Sequence, residues 1–288
     1  MISRLCIIGV GLIGGSLALA LKRAGAVDSV IGCGRQRANL ELARSRNVID
    51  EFTTDPGEAV RDADVVVMAA PLGAAEPLFR AIRGNLAPQA IVTDVGSAKR
   101  CVVEDAKRVF GAIPANFVPG HPIAGTEQSG VEAAFESLFD DHRVILTPLE
   151  ETDARATQTV RLMWEAAGAE VLLLDLDHHD QVLAATSHLP HMLAYTLVDT
   201  LGRMEQHTEI FRYAAGGFRD FTRIASSDPT MWHDICLANK DALLNALQQF
   251  SADLAVVSDA IRNSDSAVLK DVFSRAKDLR DAHVSGSK

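Results

Sequence analysis

A run of glycines near the start of the chain constrains its fold most. Gly9-Val10-Gly11-Leu12-Ile13-Gly14-Gly15 follows the apolar residues 5–8 and opens an amphipathic stretch. In a strand–turn–helix setting the first glycine permits a tight turn, and the second lets the backbone approach a pyrophosphate. The third lets helix and strand pack closely. The helix N-terminus then offers free N–H groups to the anion. Gly9, Gly11, Leu12, Ile13 and Gly14 are the candidate dinucleotide-binding residues. A glycine-rich turn without a ligand is the plain alternative. Against it stand the position of the motif, directly after a first strand, and a second strand ending about 20 residues later.

The rest of the pattern agrees. Candidate strands fall at residues 5–8, 30–33, 65–69, 91–94, 144–147 and 171–174, with helical patterns such as 16–23, 38–46 and 157–167 between most of them. Apolar strands alternating with helices predict a parallel sheet covered on both faces. From about residue 177 the strands vanish, and three long helical patterns follow at 177–201, 229–261 and 267–282. Asp228 and Pro229 supply a start signal for the second, as N-cap and first helical residue. Ala215-Gly216-Gly217-Phe218 reads as a tight turn or loop. The fold class is therefore α/β: a Rossmann-type dinucleotide-binding domain over residues 1–175, then an all-α helical domain over 176–288.

The end of the second strand bears on which dinucleotide fits. An NAD site usually places Asp or Glu there for the ribose 2′-hydroxyl. This chain has Gly34, then Arg35, Gln36 and Arg37. A missing carboxylate removes repulsion against a 2′-phosphate, and Arg35 and Arg37 could grip it, so NADP is favoured over NAD. The plain alternative makes both arginines ordinary exposed charges on the next helix. Ala70 and Pro71, after the run 65–69, border the expected cofactor crevice.

Composition narrows the function classes. With 28 Lys and Arg scattered along the chain and a net charge of −10, no basic stripe is available for nucleic acid. Cys6, Cys33, Cys101 and Cys236 form no regular framework and read as small buried hydrophobes. No run reaches the roughly 18 apolar residues of a membrane helix, and the first residues lack the features of a secretory signal. The expected location is the cytoplasm, with no membrane partner. His188 and His191 are three apart, yet no third ligand stands at a metal-site spacing, so no metal is expected.

Several stretches together resemble the prephenate/arogenate (cyclohexadienyl) dehydrogenase family. They are the glycine run, Asp94-Val95-Gly96-Ser97-Ala98-Lys99, and His121-Pro122-Ile123-Ala124-Gly125-Thr126-Glu127-Gln128-Ser129-Gly130. His179-Asp180, Ser187-His188-Leu189-Pro190-His191, the run from Gly216 to Ala225, and that from Ser227 to Trp232 complete the set, in order and at similar spacing. The resemblance implies NAD(P)-dependent oxidative decarboxylation of prephenate or arogenate in tyrosine biosynthesis, by a homodimer formed through the helical domain. It implies His121 as the base for the ring hydroxyl, where an unperturbed imidazole titrates near pH 6.5. It implies Ser97 as a hydrogen-bonding residue that orients that histidine, and helix N-cap is its plain role. Lys99 then reads as a first-turn surface residue. The resemblance places His188 in the substrate pocket, leaves His191 to packing, and gives Arg223 a substrate carboxylate. Thr126 and Glu127 line the pocket entrance by the same resemblance, with a solvated carboxylate as the alternative for Glu127.

Two competing readings remain. One is another two-domain dehydrogenase of the β-hydroxyacid type, which lacks the stretches around His121 and Phe218. The other is a nucleotide-sensing regulator, which would be expected to have lost His121 or Arg223. Prephenate and arogenate differ only in a keto group against an amine, and the neutral Thr186 leans towards prephenate. The reading expects no further regulatory domain and no fused mutase.

Overall fold

The computed structural model describes residues 1–126 and 128–283. Strands β1 (Ile2–Ile8), β2 (Val27–Cys33), β3 (Glu51–Thr53), β4 (Val65–Met68), β5 (Ile91–Asp94) and β6 (Phe117–Val118) form one parallel sheet in the order β3-β2-β1-β4-β5-β6. The strand order reverses between β1 and β4, and such sheets bind ligands in the crevice outside the carboxyl ends at that point. Helices α1 (Leu12–Arg23), α2 (Arg37–Ser45), α3 (Pro56–Ala59), α4 (Ala75–Ile82) and α5 (Arg100–Phe110) connect the strands. Successive strand residues feed opposite cores. Leu5, Ile7, Val65 and Val67 enter one, and Cys6, Ile8, Val66 and Met68 enter the other. That is why these short strands carry unbroken apolar runs rather than alternating ones.

Two of the strands expected in this sheet lie elsewhere. β7 (Gly120–Ile123), β8 (Arg143–Leu146) and β9 (Glu170–Leu173) form a second sheet of three strands, with β7 antiparallel and β9 parallel to β8. The chain leaves the first sheet at Pro119, which has no N–H to continue a ladder. His121 is therefore a strand residue, paired with Ile145. Helix α6 (Ala154–Ala166) connects β8 and β9, capped by Asp153, which accepts from the N–H groups of Arg155 and Ala156.

Helices fill the chain after β9, as the sequence predicts. α7 (Leu176–Leu183) runs through a π-helical turn at Ala184–His188 into α8 (Leu189–Gly202). α9 (His207–Arg212), α10 (Gly216–Thr222), α11 (Pro229–Ala238), α12 (Lys240–Arg262) and α13 (Ser266–His283) follow. Asp228 caps α11 as expected, accepting from Thr230 N at 2.7 Å with Pro229 in the first turn. Two expectations fail. Gly216 and Gly217 open a helix rather than a loop, because they occupy only its first turn and α10 packs against α8. The long helix expected over 229–261 is two helices, parted at Asn239, whose φ of −111° and ψ of 35° leave helical space.

By packing the chain divides into two compact units, residues 1–240 and 241–288. The second holds most of α12 and all of α13, and leaves Leu254, Ile261, Phe273 and Leu279 exposed. No helix among the described residues is long and apolar enough to cross a membrane. The four cysteines are unbridged, and burial raises every thiol, Cys33 to about 11 and Cys101 to about 12.

Trp164 on α6 is fully buried and meets Phe139 edge to face, centroids 5.1 Å apart. Its indole nitrogen has no hydrogen-bond partner, so truncation removes packing alone. Trp164→Ala is expected to lower stability by about 3–5 kcal/mol, measured as a shift of the urea midpoint. A change under about 1 kcal/mol would mean that the neighbours collapse into the space.

Candidate active site

The glycine turn joins β1 to α1 at the carboxyl edge of the first sheet. Gly9 has φ +103°, and a Cβ there would overlap the Ala69 carbonyl oxygen. A Cβ on Gly14 would overlap the Gly9 carbonyl and come within 2.7 Å of the Ile7 side chain. Gly11 is different: nothing lies within 4 Å of where its Cβ would be. It is the N-cap of α1, and no side chain caps that helix. Open space beside uncapped N–H groups fits the pyrophosphate of a dinucleotide. Asn39 Nδ2 donates to Val10 O at 2.9 Å and holds the turn. Leu12 is buried in the core and Ile13 partly buried, so they present backbone rather than side chain to the crevice. Ala70 and Pro71 follow β4.

Arg35 and Arg37 lie beyond β2, both exposed. Arg37 pairs with Glu41 at 2.9 Å and sits 5.4 Å over the Phe52 ring. No ion pair among the described residues holds Arg35.

A buried polar cluster lies past the ends of β5 and β6. Asp94, the last residue of β5, accepts from Gly96 N at 2.8 Å and Gly120 N at 3.2 Å, and pairs with Lys99 Nζ. Lys99 Nζ also donates to the Gly120 carbonyl at 2.7 Å. Both backbone groups of the residue before His121 are thus held. Lys99 is fully buried, so its expected place on the surface is wrong. Nor does Ser97 cap α5. Lys99 stands at the N-cap, and the N–H groups of Lys99 and Arg100 donate to the two carboxylate oxygens of Asp180 at 2.9 and 3.0 Å.

Asp180 extends the cluster to His121. His179 Nδ1 lies 2.8 Å from Asp180 Oδ1, and His179 Nε2 lies 2.9 Å from His121 Nδ1. Burial raises the Asp180 pKa, but the His179 bond and the two backbone N–H bonds outweigh it and hold the carboxyl below its usual range. The ionised carboxylate only accepts, so His179 Nδ1 carries a proton. A His179 that carries only this proton accepts through Nε2; His121 then donates through Nδ1–H and, when neutral, keeps its lone pair on Nε2. His121 titrates well below 6.5, chiefly through burial, with His179, Lys99 and His188 adding to the effect. The expectation of an ordinary imidazole pKa is thereby corrected downward.

His188 closes the cluster at the end of the π-helical turn. It is fully buried, with Nδ1 3.2 Å from Asn239 Nδ2. Burial lowers its pKa to about 4 against the opposing pull of the Asp180 charge and the Ser97 carbonyl, which sets Ser97 beside it. His191 packs as expected, stacked on the Trp232 ring at 3.7 Å between centroids. Thr126 and Arg223 are exposed. The Thr126 hydroxyl accepts from Gln128 N at 3.2 Å, and Arg223 opens a 3₁₀ turn, Arg223–Ser226, that packs on α8. Glu127 lies outside the described residues. No cluster of metal-ligating side chains occurs among the described residues.

Two family models match the chain: the prephenate dehydrogenase nucleotide-binding domain over residues 17–173 and the prephenate dehydrogenase dimerization domain over residues 175–275. The chain belongs to the prephenate dehydrogenase family. It is 40% identical to a cyclohexadienyl dehydrogenase of Zymomonas mobilis, covering 96% of this chain and 94% of that one. Among solved structures it resembles a prephenate dehydrogenase from Aquifex aeolicus, in complex with hydroxyphenyl propionate and NAD+. There the TM-score is 0.91 and the identity 36%, over 98% of each chain. It also resembles an arogenate dehydrogenase of Synechocystis, with a TM-score of 0.82 and 31% identity over 98% of this chain and all of that one.

The two inner glycines of the turn should respond differently. Gly14→Ala forces a Cβ into backbone and is expected to cost about 1–3 kcal/mol of stability, seen as a lower Tm without ligand. Gly11→Ala should keep the Tm and weaken dinucleotide binding by about tenfold or more, measured by calorimetric titration. Unchanged binding in Gly11→Ala would place the pyrophosphate elsewhere.

Proposed function

We propose that this chain is an NAD(P)-dependent dehydrogenase that oxidises and decarboxylates prephenate or arogenate. The observation that carries the reading is the line Asp180–His179–His121, in a chain whose glycine turn is shaped for a dinucleotide. A regulator has no need of such an arrangement, and the family resemblance supplies a reaction that does.

The bound nicotinamide supplies the hydride acceptor. The substrate's ring hydroxyl faces His121 Nε2, which takes its proton as hydride leaves the same carbon. The ring carboxylate departs as carbon dioxide, and the electron pair of the broken C–C bond restores aromaticity. A base titrating well below 6.5 suffices, because loss of hydride turns the hydroxyl into a protonated ketone, a far stronger acid than an alcohol. When His121 takes the proton, Nδ1–H still donates to His179, and Asp180 stands behind it to stabilise the charge. Ser97 is proposed to help orient the site from beside His188, and Arg223 and Thr126 to meet the substrate from the exposed side.

NADP remains our preferred cofactor, with Arg35 as its main contact. Arg37 must first yield an exposed pair with Glu41, a small loss. The homodimer is supported by the dimerization-domain match and by the apolar side chains exposed on α12 and α13. Choice between prephenate and arogenate finds no support from Thr186, which is exposed and donates its hydroxyl to the Val182 carbonyl.

His121→Asn keeps hydrogen bonding and bulk but cannot serve as the base. Its kcat is expected to fall roughly 10²–10⁴-fold, with substrate KM changed much less. In the wild type, activity requires neutral His121, and its lowered pKa extends the neutral form to lower pH. The acidic limb of kcat/KM should therefore lie below pH 6.5, and it should vanish from the residual activity of the variant. Retention of near wild-type kcat with the same limb would move the base to another residue.

For the cofactor, kcat/KM should be higher with NADP than with NAD. Arg35→Ala is expected to raise the KM for NADP by the loss of a charge-assisted contact, about 1.5–3 kcal/mol, and Arg37→Ala by less. Neither should alter the KM for NAD much, and steady-state kinetics with both cofactors would overturn the reading by showing a clear NAD preference.

A further inference from the structure

His188 has one engaged nitrogen and one without a well-formed hydrogen bond. Nδ1 faces Asn239 Nδ2 at 3.2 Å; Nε2 is buried and makes no hydrogen bond of good geometry, although the Ser97 carbonyl lies near enough to act on the ring. The oxygen and nitrogen of an amide side chain look alike, so a third group must decide which end faces the ring. The main-chain carbonyl of Asp180 decides it. It lies 2.8 Å from Asn239 Nδ2, and a carbonyl can only accept. The NH2 end of Asn239 therefore faces both partners, and its two hydrogens serve the Asp180 carbonyl and His188 Nδ1. A ring nitrogen that receives a hydrogen bond carries no proton. In a neutral imidazole the proton then sits on Nε2, and burial keeps this ring neutral.

We infer that Asn239 is a positioning residue that fixes His188 as a donor through Nε2–H, so that the substrate atom seated against His188 is an accepting oxygen and not an ammonium. The inference rests on the proposed dehydrogenase reading for the identity of the ligand, though not for the tautomer. A buried donor that makes no well-formed hydrogen bond is costly to keep, and a carboxylate or carbonyl oxygen of the ligand would satisfy it where the Ser97 carbonyl does so poorly. The cluster then holds its two substrate-facing histidines in opposite states. His121 presents a lone pair at Nε2, set through the Asp180 side chain, and His188 presents a proton at Nε2, set through the Asp180 backbone.

The tautomer can be read directly. In the full chain with ¹⁵N-labelled histidine rings, at about pH 8 where neutral rings prevail, the two-bond proton–nitrogen pattern separates protonated from bare ring nitrogens. The His188 signals are identified by their loss in His188→Gln. We expect a protonated Nε2 in the wild type, and a proton on Nδ1 would overturn the inference whether or not any variant folds. Asn239→Asp puts an acceptor where the donor stood. It should move the His188 proton to Nδ1, leave His121 unchanged, and raise the substrate KM about tenfold, with kcat and cofactor KM changed less. A substrate KM within about twofold of wild type, with the proton moved, would remove His188 from substrate recognition and overturn the inference. If the wild type turns over neither prephenate nor arogenate, the functional reading fails on its own, while the spectrum still decides the tautomer.

Discussion

A carboxylate taken out of water must find fixed donors, and Asp180 finds them in three places. His179 supplies one, and the first N–H groups of α5 supply the others. The arrangement serves both sides. Helix α5 has no capping side chain of its own, so a carboxylate from α7 satisfies its orphan donors and lies at the positive end of its dipole. The same carboxylate orders a histidine line, and the carbonyl of the same residue orders Asn239. Helix α7 cannot slide against α5 without baring a charge. Thus the helical stretch carrying His179 and His188 is registered to the sheet elements that carry His121.

A second buried ion pair works at the other end of that histidine. Asp94 and Lys99 grip the N–H and the C=O of Gly120, so the strand entering His121 is fixed before its side chain begins. Removing one partner of such a pair usually costs about 3–5 kcal/mol, because the other charge is left uncompensated. The pair also sets the chemistry. The lysine charge, after burial and His179, helps keep His121 unprotonated. Position and protonation state are fixed by the same few residues.

Much of this was legible in the sequence. The glycine turn, the alternation of apolar strands with helices and the Asp228–Pro229 cap depend on local spacing, and they fell where spacing predicts. The site was less legible, because burial of a charge leaves no mark on neighbouring residues. Lys99 looks like any lysine at the start of a helix, and it is buried by groups distant in sequence, among them Gly120 of β7 and Asp180 of α7. Asn239 was hidden inside an apolar periodicity that runs through both α11 and α12, since a break made for a distant partner leaves the pattern of its flanks intact. The second sheet escaped for a similar reason. Apolar residues at 144–147 and 171–174 mark strands, but nothing local says which sheet they join.

The π-helical turn at Ala184–His188 ties the helix to its own length. A π turn takes in one residue more than an α turn, and each residue of a regular helix advances the chain by about 100° around the axis. Upstream of it, His179 and Asp180 face inward. Downstream, His191 stacks on Trp232, and the Tyr195 hydroxyl donates to the Ser227 carbonyl at 2.6 Å. Both sets meet their partners only because the extra residue resets the phase between them. Loss of one residue anywhere in 184–188 would let the helix heal into a regular spiral and rotate the later side chains of α8 away from their neighbours. Over the residues of this segment before His188, drift in residue identity is tolerable in a way that a change in residue number is not.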